Sequence, residues 1–371
     1  MTNKPLSLYF HFPFCVKKCV YCAFYSLPAQ PEEIKNAYCE ALEKQIGFLP
    51  REREIISVYF GGGTPSCLGA ERLCKLLAKI KEHCSLAPDC EITVEVNPGT
   101  AGESDFYALY AAGFNRISAG VQSANDETLA FLGRIHSFRQ ARECILAAKR
   151  AGFANVGADL IFALPGQTAE DLLHSVDSVC GLGVQHISAY SLQLEPGTPL
   201  YAKRGTLCFP DEEAEEAVYG ALCARLKERG YEHYEISSFA LPGFRARHNG
   251  VYWDRGEYLG IGAGAHSFYG GKRFSAPCDI NAFIQKAGVS LFAPTDRETA
   301  PYVSAEEAEE ERVMLGLRTS DGAVVPPGAR GKAKRIAEAG YGIFDGERLV
   351  LNEKGFRVSN EIITEVLIQR F

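Results

Sequence analysis

The chain has 371 residues, 46% of them hydrophobic and 23% charged, and its formal net charge is −7. This length exceeds what one compact core usually fills, so we expect two or three domains. No apolar run is long enough to cross a bilayer, and the N-terminus leaves no room for a signal peptide, so we expect a cytoplasmic protein. The negative net charge disfavours nucleic acid as the main partner.

The first two-thirds of the chain alternate predicted strands with predicted helices. Apolar, β-branched or aromatic runs predict strands at 6–12, 57–60, 91–96, 116–121, 155–162 and 186–192. Amphipathic spacing predicts helices at 34–46, 73–80, 106–112, 138–149, 170–179 and 212–229. Strands separated by helices indicate βαβ units and a parallel sheet. Six units are two short of a closed eight-fold barrel, so an open (β/α)6 barrel, a partial TIM barrel, is the expected fold.

Polar or glycine-containing positions follow every one of these six strands. They are Cys15, 61–65, Asn97, Gln122, 164–166 and Gln193. Each of them taken alone is equally well explained as a turn residue. Together they lie at the carboxyl ends of the strands, where open α/β sheets and barrels place their active sites.

Three of the 13 cysteines form a cluster. Most of the others lie singly in apolar helical patterns, which is typical of buried cysteines in a reducing compartment. Cys15, Cys19 and Cys22 instead form C-x3-C-x2-C in the loop after the first strand. Soft thiolates suit an iron–sulfur cluster, and three ligands for four irons leave one iron open. A zinc site needs a fourth ligand, for which His11 is the nearby candidate, and three unrelated cysteines are the other alternative.

The segment YFHFPFCVKKCVYC at 9–22 resembles the signature of the radical S-adenosylmethionine (SAM) superfamily, in particular its coproporphyrinogen-oxidase-like branch. The resemblance implies a 4Fe–4S cluster held by Cys15, Cys19 and Cys22. It also implies that the open iron binds the amino and carboxylate groups of SAM. The run GGGTP at 61–65 is similar to the glycine motif of that branch, whose backbone meets the methionine part of SAM.

Further segments resemble motifs of the same branch: EVNPGT at 95–100, GVQS at 120–123 and DLIFALPGQT at 159–168. The resemblance implies SAM contacts from Tyr9, Tyr21, Gly62, Gly63, Thr64, Glu95, Gln122, Arg134 and Asp159. Carboxylates suit ribose hydroxyls or an ammonium group, and an arginine suits a carboxylate. For Arg134 the alternative is an arginine on a helix surface. Ala163 replaces a glycine that is usual in the branch.

Two departures separate the chain from the oxidases of this branch. As the resemblance implies, those enzymes carry a fourth cysteine where this chain has Phe24, and an additional N-terminal segment. Both departures indicate the HemW-type heme chaperones, as does HNGVYW at 248–253. The resemblance implies that His248 is an axial heme ligand, with Tyr252 and Trp253 as apolar walls. A hydrogen-bonded structural histidine is the alternative for His248, and His266 is a reserve ligand.

The remainder of the chain predicts a different architecture. Beyond residue 229 the periodicity fades, and the tail indicates a β-ribbon around Gly346 followed by a helix at 356–371. We therefore expect a radical SAM core at 1–235, a connecting segment with the HNGVYW motif at 236–295, and a small α+β, winged-helix-like C-terminal domain at 296–371.

Three functions follow from these residues and the resemblance. The favoured one is a heme chaperone that binds heme, a 4Fe–4S cluster and SAM, and transfers heme to an acceptor protein. The second is a radical enzyme acting on a porphyrin, such as an oxygen-independent coproporphyrinogen III oxidase. The third is a binding module whose cluster serves dimerisation or redox sensing. Expected partners also include an electron-donor protein, a second copy of the chain and a peripheral membrane contact, but not nucleic acid.

Overall fold

The computed structural model describes residues 4–290 and 301–368. Its strands are β1 (Leu6–Phe12), β2 (Phe14–Cys15), β3 (Leu27–Pro28), β4 (Glu54–Gly62), β5 (Ser85–Val96), β6 (Arg116–Gln122), β7 (Asn155–Phe162), β8 (His186–Ser191), β9 (Glu232–Glu235), β10 (Ser238–Ala240), β11 (Tyr258–Ile261), β12 (His266–Tyr269), β13 (Lys272–Ser275), β14 (Ala323–Val324), β15 (Gly342–Phe344) and β16 (Arg348–Leu351). Its helices are α1 (Glu32–Ile46), α2 (Ala70–His83), α3 (Glu103–Ala112), α4 (Asp126–Phe131), α5 (Phe138–Arg150), α6 (Ala169–Gly181), α7 (Pro199–Ala202), α8 (Glu212–Glu228), α9 (Arg247–Trp253), α10 (Ile280–Lys286), α11 (Ala305–Gly316), α12 (Arg330–Glu338), α13 (Glu353–Arg357) and α14 (Ser359–Leu367).

The six predicted strands form the parallel centre of the main sheet. They are β1, β4, β5, β6, β7 and β8, and each is hydrogen-bonded to the next in parallel register. Helices connect them, so the α/β fold and the open (β/α)6 barrel are confirmed. Among the described residues the two edge strands, β9 and β13, are not paired with each other, and the barrel stays open.

The connecting segment also contributes to this sheet. Strand β11 pairs in parallel with β1, and β12 and β13 continue from it as an antiparallel hairpin. On the other side β10 and β9 extend the sheet antiparallel to β8. The predicted domain boundary after residue 235 falls between β9 and β10, and the one after residue 295 lies outside the described residues. Both domain boundaries stay predictions.

The C-terminal part has its own small core. Strands β14, β16 and β15 form an antiparallel sheet against α11 to α14. Leu349 and Phe356 are buried in this core, in agreement with the expected α+β fold. The predicted final helix begins earlier, at Glu353, because Asn352 accepts the Gly355 amide at 3.0 Å as a cap. It is also interrupted at Val358, and its predicted last residues, 369–371, lie outside the described range.

Helix α11 crosses the open side of the barrel. The segment before it pairs with the β13 edge, where the Val303 amide donates to the Gly271 carbonyl at 2.9 Å. The segment after it pairs with the β9 edge, where the Ser320 amide donates to the Tyr234 carbonyl at 2.9 Å. Twelve helical residues span about 18 Å, so α11 works as a strap between the two edges. No helix among the described residues is long and apolar enough to cross a membrane.

Four non-glycine residues among those described, Ala29, Gln122, Ala163 and Arg255, have a positive backbone φ, and Ala163 is the one that stands where glycine is usual in the resembled branch. Ala163, directly after β7, has a backbone φ of +58°, a region that glycine adopts without cost and alanine does not. We expect Ala163→Gly to raise the free energy of unfolding by about 1 kcal/mol, measured by urea denaturation. The control is Ala158→Gly in the middle of β7, which should lower it. A less stable Ala163→Gly variant would contradict the assignment of strain.

Candidate functional site

A cavity of about 490 Å³ lies at the carboxyl ends of the parallel strands. Its wall includes the predicted residues Cys15, Cys19, Tyr21, Cys22, Gly62, Gly63, Thr64, Glu95, Gln122, Arg134 and Asp159. The residues lie in the carboxyl-terminal halves of β4, β5, β6 and β7 or in the segments that follow β1, β4 and β6, the end of the sheet at which the polar residues of the sequence predict the site. The structure therefore brings eleven of the thirteen predicted site residues to one cavity, and leaves out Tyr9 and His248.

The cysteine loop is held in place by backbone hydrogen bonds. The Val20 amide donates to the Leu132 carbonyl at 3.2 Å, and the Leu200 amide donates to the Val20 carbonyl at 2.9 Å. Cys15, Cys19 and Cys22 are half-buried free thiols. Burial, followed by the neighbouring thiolates, raises the pKa of Cys22. Three thiols that are close enough to perturb one another, in a loop anchored at both sides, fit a metal-cluster site.

The arrangement of the thiols suits a cluster better than a single ion. A zinc ion draws three or four ligands to within about 2.3 Å of one point. Among the described residues, His, Cys, Asp and Glu side chains do not converge in this way on one point. In a cubane each cysteine binds a different iron, which is compatible with thiols that face the same cavity without meeting at its centre.

The glycine loop at the end of β4 packs too closely against its protein neighbours to carry side chains. Gly62 has a φ of +110°, and a Cβ added to it would lie 2.5 Å from the His11 ring. A Cβ on Gly63 would lie 2.8 Å from the Phe12 carbonyl oxygen. The backbone of this loop therefore follows a path that other residues do not allow.

Two half-buried carboxyl groups face the cavity. Glu95 accepts from the Tyr59 hydroxyl at 2.8 Å and from the Gly62 amide at 3.1 Å. Burial raises the pKa of Glu95 to about 7, and the nearby Asp159 adds to the effect. Burial also raises the pKa of Asp159, although the Ser118 hydroxyl donates to it at 3.3 Å. A bound ammonium or hydroxyl group would stabilise the charged form of carboxyl groups that are so poorly solvated.

Arg134 joins the cysteine loop to the rest of the cavity. Its guanidinium donates to the Cys19 sulfur at 3.4 Å and to the Gly120 carbonyl at 2.8 Å. Its Nε is buried and has no partner among the described residues. An unpaired N–H on a buried guanidinium fits a carboxylate ligand. The structure thus places Arg134 in the cavity and not on a helix surface.

Sequence reasoning placed Asn97 at the end of a strand but assigned it no role in the site. Its amide donates to the Thr64 hydroxyl at 2.6 Å, and its carbonyl oxygen accepts from Arg134. The signal was present, because Asn97 directly follows a buried strand. Lys17 and Tyr190 also line the cavity, and neither stands out in the sequence.

Tyr9 and His248 lie in the barrel interior, away from the cavity wall. The Tyr9 hydroxyl bonds His11 Nδ1 at 3.1 Å, and its ring stacks on Tyr59 with centroids 6.0 Å apart. Tyr9 therefore lies outside the lining of the cavity, and its contact with SAM stays a prediction. Through these contacts Tyr9 stabilises its own strand, β1, which precedes the cysteine loop.

His248 is only 1% exposed. Ser57 Oγ donates to Ser7 at 2.7 Å, so His248 Nδ1, 2.8 Å from Ser57 Oγ, must be the donor of that pair. The lone pair on His248 Nε2 then accepts from the Tyr252 hydroxyl at 2.8 Å. In this structure no ring nitrogen of His248 is open to heme iron, which corresponds to the alternative of a hydrogen-bonded structural histidine.

Buried histidines predict acid sensitivity. Burial lowers the pKa of His248 to about 3 and those of His136 and His233 to about 4. Their value in the unfolded chain is near 6.5, so their stabilising contribution is present above that pH and is lost as the pH falls towards the folded values. We expect the free energy of unfolding to fall by up to about 1.4 kcal/mol per pH unit for each histidine. Urea denaturation between about pH 7 and 5 measures this slope, which His233→Gln should reduce; an unchanged slope would contradict the assignment.

Comparisons with known proteins agree with this geometry. The sequence model of the Radical SAM superfamily matches residues 9–179. The chain is 36% identical to the heme chaperone HemW of Lactococcus lactis, covering 99% of both chains. It is 34% identical to the heme chaperone HemW of Bacillus subtilis, covering 96% of this chain and 93% of the relative.

A solved structure shares the fold. The coproporphyrinogen III oxidase HemN of Escherichia coli, described as a radical SAM enzyme, superposes with a TM-score of 0.84 at 23% identity. The match covers 98% of this chain and 91% of that one. At this identity the likeness shows the fold, whereas the full-length relatives above 30% identity show the family. The chain belongs to the HemW family within the radical SAM superfamily.

Proposed function

We propose that this protein is a heme chaperone that binds heme, a 4Fe–4S cluster and SAM, and transfers heme to an acceptor protein. The observation that carries the proposal is 36% identity, over 99% of both chains, to a protein named as a heme chaperone. The cavity supports it, because it combines three thiols, a glycine loop and a guanidinium whose buried Nε has no partner among the described residues.

The residues present fit the cluster and SAM. Cys15, Cys19 and Cys22 would hold the cluster, and the Gly62 loop with Arg134 would hold the amino acid part of SAM. When bound, the cluster supplies an open iron and one-electron chemistry. The Arg134 guanidinium holds Cys19 in place and offers its free N–H to a carboxylate. Glu95, half-buried beside the glycine loop, accepts hydrogen bonds from the Tyr59 hydroxyl and the Gly62 amide and so fixes the position of this loop.

A porphyrin oxidase is the second candidate, since the fold is shared with HemN. Phe24 argues against it, because the oxidases of the branch are expected to carry a cysteine there. The Phe24 side chain is 71% exposed at the cavity mouth, so it offers an apolar surface and no metal ligand. An exposed aromatic ring beside this cavity suits contact with a flat apolar group such as a porphyrin.

The finer parts of the function are proposals as well. We infer that the protein works in the cytoplasm with an electron-donor protein, and that dimer formation and peripheral membrane contact accompany heme transfer. The net charge of −7 supports a partner other than nucleic acid. For the heme ligand, His266 on β12 is exposed, whereas His248 must first lose the Tyr252 hydroxyl.

The test uses anaerobically reconstituted protein. We expect heme titration to give a saturable absorbance change, and apomyoglobin mixed with the heme-loaded protein to acquire heme faster than by its spontaneous release. Incubation with coproporphyrinogen III, SAM and a reductant should leave the porphyrinogen unchanged. Robust decarboxylation, or the absence of heme binding, would contradict the chaperone proposal.

A further inference from the structure

The HNGVYW segment forms α9, which packs under the barrel at the end opposite the cavity. Its backbone is anchored by Glu91, whose carboxylate accepts from the amides of Arg247 at 3.1 Å and His248 at 2.9 Å. Its His248 side chain is anchored to Ser57, as described above. Glu91 lies on β5 and Ser57 on β4, so α9 is attached to two neighbouring strands.

The same two strands carry Glu95 and the Gly62 loop, which together form the proposed SAM cradle, at their other ends. Glu95 is four residues after Glu91 on β5, and Gly62 ends β4. Four strand residues rise about 13 Å, so the anchor and the cradle are separated by roughly that distance. At this distance α9 does not touch the cradle, so intervening residues must connect the two.

A continuous series of contacts provides this path. The His248 ring stacks on the Tyr59 ring with centroids 4.9 Å apart and planes 27° apart. The Tyr59 hydroxyl donates to one oxygen of Glu95 at 2.8 Å. The other oxygen of Glu95 accepts from the Gly62 amide at 3.1 Å. The imidazole is neutral, because burial lowers the pKa of His248 to about 3, and so it packs as an aromatic plane.

We propose that His248 is a positioning residue for SAM: its ring holds Tyr59 in the orientation in which the hydroxyl fixes Glu95 and, through Glu95, the Gly62 amide. The inference rests on the proposed SAM site, and gives the HNGVYW segment a role other than heme ligation. Tyr252 helps to hold the His248 ring in place, because its hydroxyl donates to His248 Nε2 and its ring packs edge-on against His248 with centroids 5.2 Å apart.

The test compares His248→Ala, Tyr59→Phe and the double variant with a matched control, His186→Ala. His186 is also 1% exposed, and its Nε2 also bonds a tyrosine hydroxyl, that of Tyr234, at 2.8 Å. Loss of either histidine therefore costs similar packing, but of these two histidines it is His248 that stacks on Tyr59.

The measured quantity is the dissociation constant of SAM, determined by equilibrium dialysis on anaerobic protein with matched cluster content. We expect His248→Ala and Tyr59→Phe each to weaken SAM binding about tenfold, the loss expected from one buried hydrogen bond. The double variant should be little worse than either single one, because both act through the same contact. His186→Ala should stay within about twofold of the unchanged protein. The electron paramagnetic resonance signal of the reduced cluster should respond less to a fixed SAM concentration in His248→Ala.

A second variant, His248→Gln, keeps the test decisive if His248→Ala folds poorly. In His248→Gln the amide can still donate to Ser57, so partial rescue of SAM affinity is expected. Unchanged SAM affinity in both His248 variants, fully additive effects with Tyr59→Phe, or an equal loss in His186→Ala would overturn the proposal. So would a lack of SAM binding by the unchanged protein.

Heme titration of the same variants distinguishes a failure of this proposal from a failure of the proposed heme-chaperone function. We expect His248→Ala to bind heme as the unchanged protein does. Loss of heme binding with intact SAM affinity would restore His248 as the heme ligand and overturn the positioning role. If the unchanged protein binds SAM but no heme, the chaperone proposal fails while the positioning role stands.

Discussion

Replacing Cys19 by serine should remove nearly all iron from the protein after anaerobic reconstitution. The hydroxyl of serine is a hard and weakly acidic group, whereas iron–sulfur clusters require soft thiolates. Cys19 is also the thiol that Arg134 holds, so its loss removes a cluster ligand and leaves a buried guanidinium without one of its partners. Iron and sulfide analysis, together with visible absorbance, measures the effect.

The matched control is Cys67→Ser. The Cys67 thiol lies close enough to Cys15 for that group to raise its pKa further, after burial, but it is outside the C-x3-C-x2-C loop. We expect Cys67→Ser to keep its iron. Full cluster content in Cys19→Ser, or equal losses in both variants, would show that the three predicted cysteines are not the ligand set.

The second large effect is expected for Arg134→Gln, which should weaken SAM binding between about tenfold and a hundredfold, since hydrogen bonds to charged groups contribute about 1.5–3 kcal/mol. The unpaired Nε is the specific reason, because it is buried at the cavity and has no protein acceptor among the described residues. Equilibrium dialysis with SAM, on samples of equal iron content, measures the change.

Arg139→Gln serves as the control for this prediction. Arg139 is exposed on α5, a few residues further along the chain. It carries the same charge but does not line the cavity. Equal SAM affinity in Arg134→Gln and the unchanged protein would reject the carboxylate-binding role. Equal weakening in both variants would indicate a general effect of charge.

The sequence predicts the barrel well because each of its parallel strands contains a run rich in apolar, β-branched or aromatic residues. Strands β1 and β7 have the predicted bounds, since both faces of a parallel sheet are covered and the pattern is unambiguous. The cavity follows from the same pattern, because the residue after each strand must lie at the carboxyl edge. Gly62 and Asp159 therefore line the same cavity, although they lie far apart in the sequence.

Other features depend on contacts that periodicity does not encode. Strands β11 to β13 are four residues long and lie among glycines, so their pairing with β1 is decided by tertiary packing. His248 lies in a motif that resembles a ligand set, but its environment is set by Ser57 and Tyr252. A motif names the residue types, whereas burial and hydrogen-bond partners decide what the side chain is free to do.

The strap formed by α11 has a consequence for aggregation. An open barrel leaves strand edges with unpaired amides and carbonyls, which are templates for pairing with other chains. Here Pro301 and Val303 bond the β13 edge, and Arg318 and Ser320 bond the β9 edge, so the same short stretch of chain covers both. The C-terminal part thus acts as an edge protector for the radical SAM core. A core expressed without it would present both edges and is expected to associate through them.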